Sequence, residues 1–514
     1  MPSGRSVAGA SPQEGPVVLD GSPLTIDALA RVARGSAPVE VAASARAALA
    51  ASRAVVERTL LDGQAHYGIN TGFGSLSRKR IAGEDLSELQ HNLIRSHAAG
   101  VGEPFADDIV RGMMLCLAAS LCRGRSGVRA EVVDAIVGLL NAGVTPIVPS
   151  VGSVGASGDL APLAHVALVL IGEGEARRNG HAVRGRQACE AGGFEPLTLG
   201  AKEGLALING THLMAAEGAL SCAGFERLFD AALGACAMSI DACRATDAFL
   251  DERVFESRAQ PGPRMVAERL RGLLDGSEII PSHAEGDTRV QDPYSLRCAP
   301  VVLGAAWDAY ASVRGAIERE LGAVTDNPLV FEDGDVVSAG NFHGMPLAIP
   351  LDALCISIAH VAGISERRTF LMLAATDPEA QLRPYLARTP GVQSGLMIAQ
   401  YTAAACCNEI IGLCTPASVA NIGTSAGMED YNSFGPRAAA KARRAMELAR
   451  SVVAIELLCA AEGVECHRPL RSGRGVEGVL ARVRSAVAPL DRDRPPAPDI
   501  AAIAGMIEAR HLFA

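Results

Sequence analysis

The chain has 514 residues, of which 49% are apolar and 20% charged, and its formal net charge is −10. This acidic balance excludes a general nucleic-acid-binding protein, which needs a basic face for the phosphates, and we expect no nucleic-acid partner. The apolar fraction excludes a disordered chain. No uninterrupted apolar run reaches the roughly 18 residues that a membrane span needs, so no membrane partner is expected.

Thirteen cysteines are scattered along the chain, and only Cys406 and Cys407 are adjacent. No CxxC pair occurs, which favours reduced thiols in a cytoplasmic protein over a disulfide framework or a zinc site. No HExxH motif or close His/Asp cluster indicates a catalytic metal, and none is expected. Residues 1–16 are rich in Ser, Gly and Pro without an apolar core, so we expect a flexible tail there rather than a signal peptide.

Helical patterns alternate with glycine-rich stretches in the first part of the chain. Residues 24–64 predict short helices broken by Gly and Pro, and residues 67–74 (YGINTGFG) predict an ordered functional loop. Apolar residues at helical spacing then predict helices at 85–99, 107–122 and 129–141.

A second glycine-rich stretch, residues 152–159 (GSVGASGD), precedes a predicted buried helix at 160–172 and a small β excursion at 177–196. Beyond residue 205, apolar periodicity predicts helices longer than the usual globular helix. They lie at residues 213–245, 300–322, 350–373, 395–413 and 437–462. We therefore predict a mainly all-α protein. A loop-rich, mixed N-terminal domain is expected at 17–204, and a long helical bundle with C-terminal helices at 205–514.

Two short motifs match catalytic signatures poorly. Residues 423–427 fit G-x-S-x-G, the nucleophile elbow of hydrolases, but the flanks predict no strand before the serine. Gly152, Gly155 and Gly158 suggest a phosphate cradle, yet neither Gly-Lys-Ser/Thr nor an acidic partner residue follows. We favour neither a serine hydrolase nor a nucleotide-binding loop.

The triplet Ala156-Ser157-Gly158 can provide chemistry that ordinary side chains lack. Side chains supply nucleophiles, acids and bases, whereas activating an amine requires a strong electrophile. In such a turn the Gly158 nitrogen can attack the Ala156 carbonyl, and loss of water from the ring and from Ser157 leaves a conjugated methylidene. Small residues permit the sharp bend that this needs. The simpler interpretation is a helix N-cap turn, in which Ser157 or Asp159 caps the helix that follows.

The neighbours of the triplet favour the electrophile. Residues 152–165 (GSVGASGDLAPLAH) closely resemble the signature of the aromatic amino acid ammonia-lyases, in which Ala-Ser-Gly becomes 4-methylideneimidazole-5-one (MIO). Other segments match in the family's order: YGINTGFG at 67–74, EGLALINGT at 203–211, QDPYSLRC at 291–298, TDNPL at 325–329, NFH at 341–343 and MIAQYTAA at 397–404. The resemblance covers the chain from about residue 24 onward. It implies an MIO formed autocatalytically from Ala156, Ser157 and Gly158, and no diffusible cofactor.

The segment NLIRSHAAG, residues 92–100, resembles the histidine-specific branch of this family. Ser96 and His97 stand where tyrosine enzymes carry His-Leu and phenylalanine enzymes Phe-Leu. His97 can hydrogen-bond an imidazole and leucine cannot, although a satisfied core histidine is the simpler interpretation. Glu409 falls where the family has a pocket glutamate, so the resemblance implies a contact with the substrate's imidazole. By itself, Glu409 would be interpreted as a solvated helix residue.

The resemblance also implies roles for other residues. Tyr67 is expected to remove the β-proton, which requires nearby donors or positive charge to lower its pKa from about 10. Arg297 is expected to clamp the substrate carboxylate, and Tyr294 to handle the amine proton. Asn209 is expected to donate a hydrogen bond to the MIO carbonyl oxygen. The remaining expected contacts with the MIO or the substrate are Gln291, Asn327 and Phe342.

Three departures distinguish this chain from the family's histidine branch. The stretch after Asn341-Phe342-His343 is Gly-Met-Pro instead of Ala-Glu-Pro, and residues 425–430 are SAGMED instead of SANQED. Methionine thus replaces a carboxylate at Met345 and an amide at Met428. Residues 375–385 are about two residues longer, which places Glu379 near the substrate's ring if the register holds.

The resemblance implies an all-α fold shared with the aspartase and fumarase superfamily, and a homotetramer whose active sites combine several chains. The expected reaction is elimination of ammonia from L-histidine to give trans-urocanate. An MIO-dependent 2,3-aminomutase that converts an aromatic α-amino acid to the β-amino acid uses the same groups and stays open as the alternative. A helical scaffold without chemistry predicts loss of Ser157, Tyr67 or Arg297, and all three are present.

Overall fold

A computed structural model describes residues 15–74 and 79–512. The predicted flexible tail, residues 1–16, lies outside the described residues except for its last two. The described chain is mainly helical with few short strands, which confirms the predicted all-α class. The glycine-rich loop at 67–74 is described, whereas the four residues that follow residue 74 are not.

Eighteen α-helices lie in the described ranges, and four of them exceed 20 residues. In chain order they are α1 Ile26–Ala33, α2 Ala43–Leu61, α3 Leu86–His97, α4 Asp107–Leu121, α5 Ala130–Asn141, α6 Leu160–Leu170, α7 Gly185–Gly192, α8 Glu203–Ile208, α9 His212–Ala242, α10 Glu252–Glu256, α11 Pro261–Leu274, α12 Tyr294–Arg297, α13 Ala299–Glu320, α14 Met345–Ala374, α15 Met397–Leu413, α16 Gly435–Glu465, α17 Arg474–Ala486 and α18 Ala497–Glu508. The five long helices predicted after residue 205 are confirmed as α9, α13, α14, α15 and α16. The expectation of only short helices at 24–64 is wrong, because α2 runs for 19 residues.

Four small sheets accompany the helices among the described residues. Their strands are β1 Val17–Leu19, β2 Val39–Val41, β3 Val101–Pro104, β4 Val144–Pro146, β5 Pro149–Val151, β6 Glu175–Arg178, β7 His181–Arg184, β8 Leu329–Val330 and β9 Val336–Val337. The β1–β2 pair is parallel, and β3–β5, β4–β6–β7 and β8–β9 are antiparallel. The β excursion predicted at 177–196 is partly confirmed: β6 and β7 form a hairpin, but the following residues form α7.

The chain forms two compact units, each built from non-consecutive segments. Unit 1 comprises the chain up to Leu220 with Ile317–Ala348 and Ala420–Pro436. Unit 2 comprises Ser221–Ala316, Ile349–Val419 and the chain from Arg437 onward. The domain boundary predicted between residues 204 and 205 stays a prediction. It divides the chain into continuous segments, whereas each compact unit combines several separate segments.

In unit 1, helix α3 packs against α6 and α8. A buried ion pair holds the start of α8 in place, because Lys202 Nζ donates to Asp326 Oδ2 at 2.6 Å and both side chains are almost fully enclosed. The next residue, Glu203, is also fully buried, and its carboxylate receives the Arg129 guanidinium. Burial of charge is tolerated only when it is paired in this way. These pairs position α8 beside the loop at residues 325–327.

Unit 2 has an apolar helical core with one fully buried ion pair. Arg368 of α14 meets Glu456 of α16 through two hydrogen bonds, at 2.5 and 2.9 Å, and Ser239 donates to the same carboxylate at 2.8 Å. Both charged side chains are completely enclosed. Aromatic rings add to this core, with Phe225 and Tyr310 stacked at 4.4 Å between centroids.

Helix α14 is long and apolar enough to cross a membrane by length and composition, with a mean hydropathy of 1.9 over its most apolar window. However, 56% of that window is buried inside the protein, and Arg368 near the end of the helix belongs to the buried ion pair. We therefore interpret α14 as a core helix.

Removing one partner of the buried ion pair in unit 2 should be strongly destabilising. Glu456→Gln keeps the side-chain volume but leaves the Arg368 cation enclosed without a counter-charge, which should cost about 3–5 kcal/mol of unfolding free energy. Urea unfolding curves measure this directly. Glu447→Gln is the matched control, because Glu447 pairs with Arg443 on the surface and should cost under about 1 kcal/mol. Equal midpoints for the two variants would contradict the prediction.

Candidate active site

One wide cavity in unit 1, with a volume of about 820 Å³, gathers half of the predicted site residues. Its walls come from the glycine-rich loop 67–74, helix α3, the turn before α6, the end of α8 and the loops near residues 327–342 and 425–429. Seven residues predicted from the sequence line it: Tyr67, Ser96, His97, Ser157, Asn209, Asn327 and Phe342. The packing of α3 against α6 and α8 thus places side chains from distant parts of the sequence around one space.

The turn at residues 156–158 lies against another stretch of backbone. Gly158 has φ +74°, and a Cβ there would lie 2.2 Å from the carbonyl oxygen of Gly210, so only glycine fits. The next amide, Asp159 N, donates to that same oxygen at 2.7 Å. Gly155, on the other side of the turn, also has a positive φ, of +66°. The bend is therefore forced at both ends by backbone conformations that favour glycine.

Asp159 fastens the turn to the beginning of α9. Its carboxylate accepts hydrogen bonds from the Leu213 and Met214 amides at 2.9 and 3.1 Å, and from the Ser153 hydroxyl at 3.0 Å. A helix N-terminus carries unsatisfied amides and partial positive charge, so a carboxyl group suits this position. Complete burial nevertheless raises the pKa of Asp159 to about 7.

A carboxylate that sequence reasoning missed lies beside the turn. The Ser157 hydroxyl donates to Glu429 Oε1 at 3.0 Å, and the Thr424 hydroxyl donates to Glu429 Oε2 at 2.9 Å. Residues 423–427, the weak G-x-S-x-G match, form part of a tight turn with positive φ at Ser425 and Ala426 instead of a strand-to-helix elbow. The available signal was the SAGMED segment itself, in which Glu429 directly follows Met428.

Tyr67 is half-buried, and its phenol accepts one hydrogen bond, from the Gly74 amide at 3.4 Å. Burial raises the pKa of Tyr67, and the charge of nearby Glu429 raises it further. The expectation of a lowered pKa is therefore wrong for this cavity as the single chain forms it. Burial is the main cause, and the acidic group of Glu429 near the phenol adds to it, while Arg297 does not line the cavity.

His97 is the last residue of α3, and its ring faces the cavity. Its Nδ1 lies 2.8 Å from the carbonyl oxygen of Leu93, so this nitrogen carries the proton and Nε2 is the acceptor in the neutral ring. The Ser96 hydroxyl lies 3.1 Å from the same Nδ1. Burial lowers the pKa of His97, which favours the neutral imidazole. An imidazole held in one tautomer can receive a hydrogen bond from a ligand.

The side-chain amides of Asn209 and Asn327 belong to another part of the cavity wall. Asn209 Nδ2 donates to the backbone oxygen of Asn327 at 3.2 Å, while Asn209 Oδ1 is buried without a hydrogen-bond partner in the described protein. The Asn327 side-chain oxygen Oδ1 instead accepts hydrogen bonds from the Ala339 amide at 2.7 Å and the Ser338 hydroxyl at 3.2 Å. Asn327 thus holds its loop in place. Asn209 keeps side-chain groups that are free to form hydrogen bonds with a ligand or a modified backbone.

The remaining predicted residues do not line this cavity. Tyr294 is 71% exposed, and the Arg297 guanidinium lies over its ring at 4.5 Å while Nε donates to the Asp292 carbonyl at 3.0 Å. Gln291 precedes α12, which carries both residues, and is likewise absent from the lining residues. The expected roles of these three residues stay predictions for a site that several chains form together.

Glu409 and Glu379 do not line the cavity of the single chain, and their expected contacts with a substrate ring stay predictions. Glu409 pairs with Arg444 on the protein surface at 2.7 Å, an ion pair that lowers the pKa of Glu409. Glu379 accepts from the Thr288 hydroxyl at 2.6 Å and holds a loop. The structure instead supplies Glu429 as the carboxylate of the cavity.

Comparison with known proteins shows the family of the chain. A family model described as aromatic amino acid lyase matches residues 24–485. The chain belongs to the aromatic amino acid lyase family. It is 46% identical over 502 residues to a histidine ammonia-lyase of Anaeromyxobacter sp. (strain K), covering 96% of this chain and 98% of the relative.

Solved structures share the whole fold of this family member. The histidine ammonia-lyase of Trypanosoma cruzi has a TM-score of 0.89 and 40% identity, covering 97% of this chain and 94% of the other. A tyrosine aminomutase of Streptomyces globisporus has a TM-score of 0.90 and 33% identity, covering 97% of each chain. Lyases and aminomutases therefore use the same framework, and this chain is a carbon–nitrogen lyase by family.

The lowered pKa of His97 predicts a specific pH dependence. Because the folded-state pKa of His97 lies below its unfolded value of about 6.5, the stability that His97 contributes is fully present above the unfolded pKa. This contribution is lost as the pH falls through the folded-state pKa. The stability difference between wild type and His97→Asn should therefore shrink as the pH falls from about 7 toward 5. Urea unfolding across this range measures it, with His181→Asn on β7 as the control for removing one exposed imidazole. A difference that grows on acidification would refute the prediction.

Proposed function

We propose that this chain eliminates ammonia from L-histidine to give trans-urocanate, using an MIO formed from Ala156, Ser157 and Gly158. The observation that carries the proposal is the cavity in which the Ser157 hydroxyl, the Tyr67 phenol, the Glu429 carboxylate and the His97 imidazole face one space. Near-full-length similarity to histidine ammonia-lyases supports the choice of substrate.

The residues around the triplet fit such a group. Positive φ values at Gly155 and Gly158 and the contact with Gly210 impose the tight bend that cyclisation needs. Asn209 Nδ2 carries two hydrogens and gives one to Asn327, so the other is available for a carbonyl oxygen. The group, once formed, supplies an electrophile that captures the substrate's amine. Phe342 and Leu205, which line the cavity, would exclude water from this group.

Tyr67 takes the β-proton on its phenolic oxygen in this proposal. A phenol acts as a base near neutral pH only when positive charge or donors stabilise its phenolate. Among the described residues, the Gly74 amide is a donor to the Tyr67 phenol, and Glu429 is an opposing acid. We therefore expect Tyr67 to become an effective base only after cationic groups from another copy, Arg297 among them, enter the cavity.

His97 would select the ring of the substrate. Its Nε2 acceptor can receive the N–H of an imidazole, because Nδ1 is already committed to the Leu93 carbonyl. A polar site of this kind rejects a hydrocarbon ring, which would leave the buried nitrogen unpaired. Glu429 adds a negative charge that can hold an imidazolium or the leaving ammonium, and Met428 supplies an apolar contact on the same wall.

Several copies of the chain would complete each site, and we propose a homotetramer. Arg297, the expected carboxylate clamp, is partly buried in unit 2, whereas Tyr294 on the same helix is exposed and nearby Val290 almost fully so. Helices α14 and α15 also expose large apolar side chains, which suits contact between copies. All thirteen cysteines are free, which supports a reducing compartment and a cytoplasmic location.

An aminomutase is the second candidate. The similarity to a tyrosine aminomutase over 97% of both chains supports it, and so does Met428, which lines the cavity where the histidine branch usually has an amide. Re-addition of ammonia at the β-carbon requires the same residues and a product that stays bound longer. The two activities differ in the mass of the released product.

The direct test incubates purified protein separately with L-histidine, L-tyrosine and L-phenylalanine and resolves the products by chromatography with mass detection. Loss of ammonia from L-histidine alone is the expected result. A product of unchanged mass from L-histidine would replace the lyase with the aminomutase. Turnover of tyrosine or phenylalanine instead would overturn the assignment of the ring.

Replacing His97 should remove the preference for imidazole. We expect His97→Leu to lower kcat/KM for L-histidine by about a hundredfold or more, because the ring N–H then has no acceptor. His91→Leu is the matched control, since His91 also lies on α3 but does not line the cavity. An H97L variant with the kinetics of H91L would sink the assigned role.

A mixing experiment tests whether each site draws on two chains. Tyr67→Phe and Arg297→Ala should each be inactive alone, because one removes the base and the other the carboxylate clamp. Co-expressed in one assembly, they should recover up to about a quarter of wild-type activity, from sites that combine an intact Tyr67 of one chain with an intact Arg297 of another. The double variant Y67F/R297A co-expressed with itself is the blank. No recovery in purified mixed assemblies would mean that both residues act from the same chain.

A further inference from the structure

Ser433 lies next to the reactive turn and has no part in the function described so far. It is completely buried in the segment before α16. Its hydroxyl donates to the carbonyl oxygen of Gly155 at 2.9 Å and accepts from the Gly435 amide at 3.2 Å. The neighbouring Phe434 amide donates to the Val154 carbonyl at 2.9 Å. This segment therefore holds the backbone just ahead of Ala156.

The turn is held at its other end by different groups. The Ser153 hydroxyl lies 3.3 Å from the Gly158 carbonyl, and Asp159 N donates to the Gly210 carbonyl at 2.7 Å. The two atoms that must join, the Ala156 carbonyl carbon and the Gly158 nitrogen, lie between these two anchored peptide planes. A restraint on one side alone would let the turn open, whereas restraints on both sides keep the two atoms close.

We propose that Ser433 is a positioning residue for self-cyclisation of the turn, an inference that rests on the proposed MIO. By holding the Gly155–Ala156 peptide plane, Ser433 keeps the Ala156 carbonyl within reach of the Gly158 nitrogen. The Gly158 nitrogen bonds to the Ala156 carbon, whose oxygen leaves as water with the amide hydrogens of Ser157 and Gly158. Ser157 then loses its hydroxyl and its Cα hydrogen as a second water. No oxidant or co-reactant is needed.

Ser433 also caps α16, and this purely structural role must be separated from positioning. An isosteric pair makes the distinction, because Ser433→Thr keeps a hydroxyl and Ser433→Val has the same shape without one. Ser239→Ala is the matched control for deleting a buried hydroxyl elsewhere, since Ser239 donates to Glu456 in unit 2. Thermal unfolding midpoints of all variants record any general loss of stability.

The experiment follows the mass of the proteolytic peptide that contains residues 156–158 at intervals after synthesis of the full chain. Loss of two water molecules marks cyclisation, independently of activity. We expect Ser433→Val and Ser433→Ala to cyclise about tenfold more slowly than wild type, as loss of one buried hydrogen bond implies. Ser433→Thr should cyclise faster than Ser433→Val at a similar unfolding midpoint, and Ser239→Ala at the wild-type rate.

The outcomes separate this inference from the proposed function. Equal cyclisation rates for Ser433→Thr and Ser433→Val, or a wild-type rate in Ser433→Ala, would overturn the role of Ser433 and leave the MIO intact. A wild-type peptide that never loses the two waters would instead overturn the proposed function. Equal slowing in Ser239→Ala would show that general stability limits cyclisation and would also refute the positioning role.

Discussion

The contact between the backbones of Gly158 and Gly210 is the constraint on which the rest of the site depends. No side chain fits at Gly158, because a Cβ would lie 2.2 Å from the Gly210 oxygen. The turn that carries Ser157 is consequently pressed against the chain that begins α9, and Asp159 fastens the two by accepting the first amides of that helix. The buried Lys202–Asp326 pair then holds α8, and so Asn209, beside the same turn. These contacts thus support the sharply bent triplet and its polar neighbours.

In a single chain, the charges around the cavity do not favour the proposed removal of a proton by Tyr67. Glu429 brings negative charge to a cavity whose proposed base, Tyr67, has its pKa raised by burial and by that same acid. An enzyme that removes a proton with a phenol needs the opposite balance. Arg297 and Tyr294 lie on α12 in unit 2, so the proposed assembly of several copies is the step that we expect to switch Tyr67 toward its phenolate. His97, in contrast, is already neutral and held in one tautomer by its own helix.

Much of the fold could be predicted from the sequence, because apolar residues at helical spacing report directly on buried helix faces. The helices α3 to α6 and the five long helices after residue 205 were found this way. Site chemistry depends instead on which loops meet, and spacing carries no such information. Glu409 lies on a helix of the expected length but turns to Arg444, and Glu379 binds Thr288. Glu429 was missed because its position is set by a turn, with positive φ at Ser425 and Ala426, that brings it to Ser157. The discontinuous units were also beyond a linear reading, since residues 317–348 and 420–436 join the first unit only through tertiary packing.

The central claim is that this chain makes its own electrophile from Ala156, Ser157 and Gly158. Mass spectrometry of that segment from the purified, active wild-type protein and from Ser157→Ala tests it most directly. We expect a wild-type segment lighter than its encoded mass by two water molecules, and a Ser157→Ala segment that does not lose the second water and belongs to an inactive protein. An active wild-type protein whose segment retains its full encoded mass would contradict the account, whatever substrate it consumes.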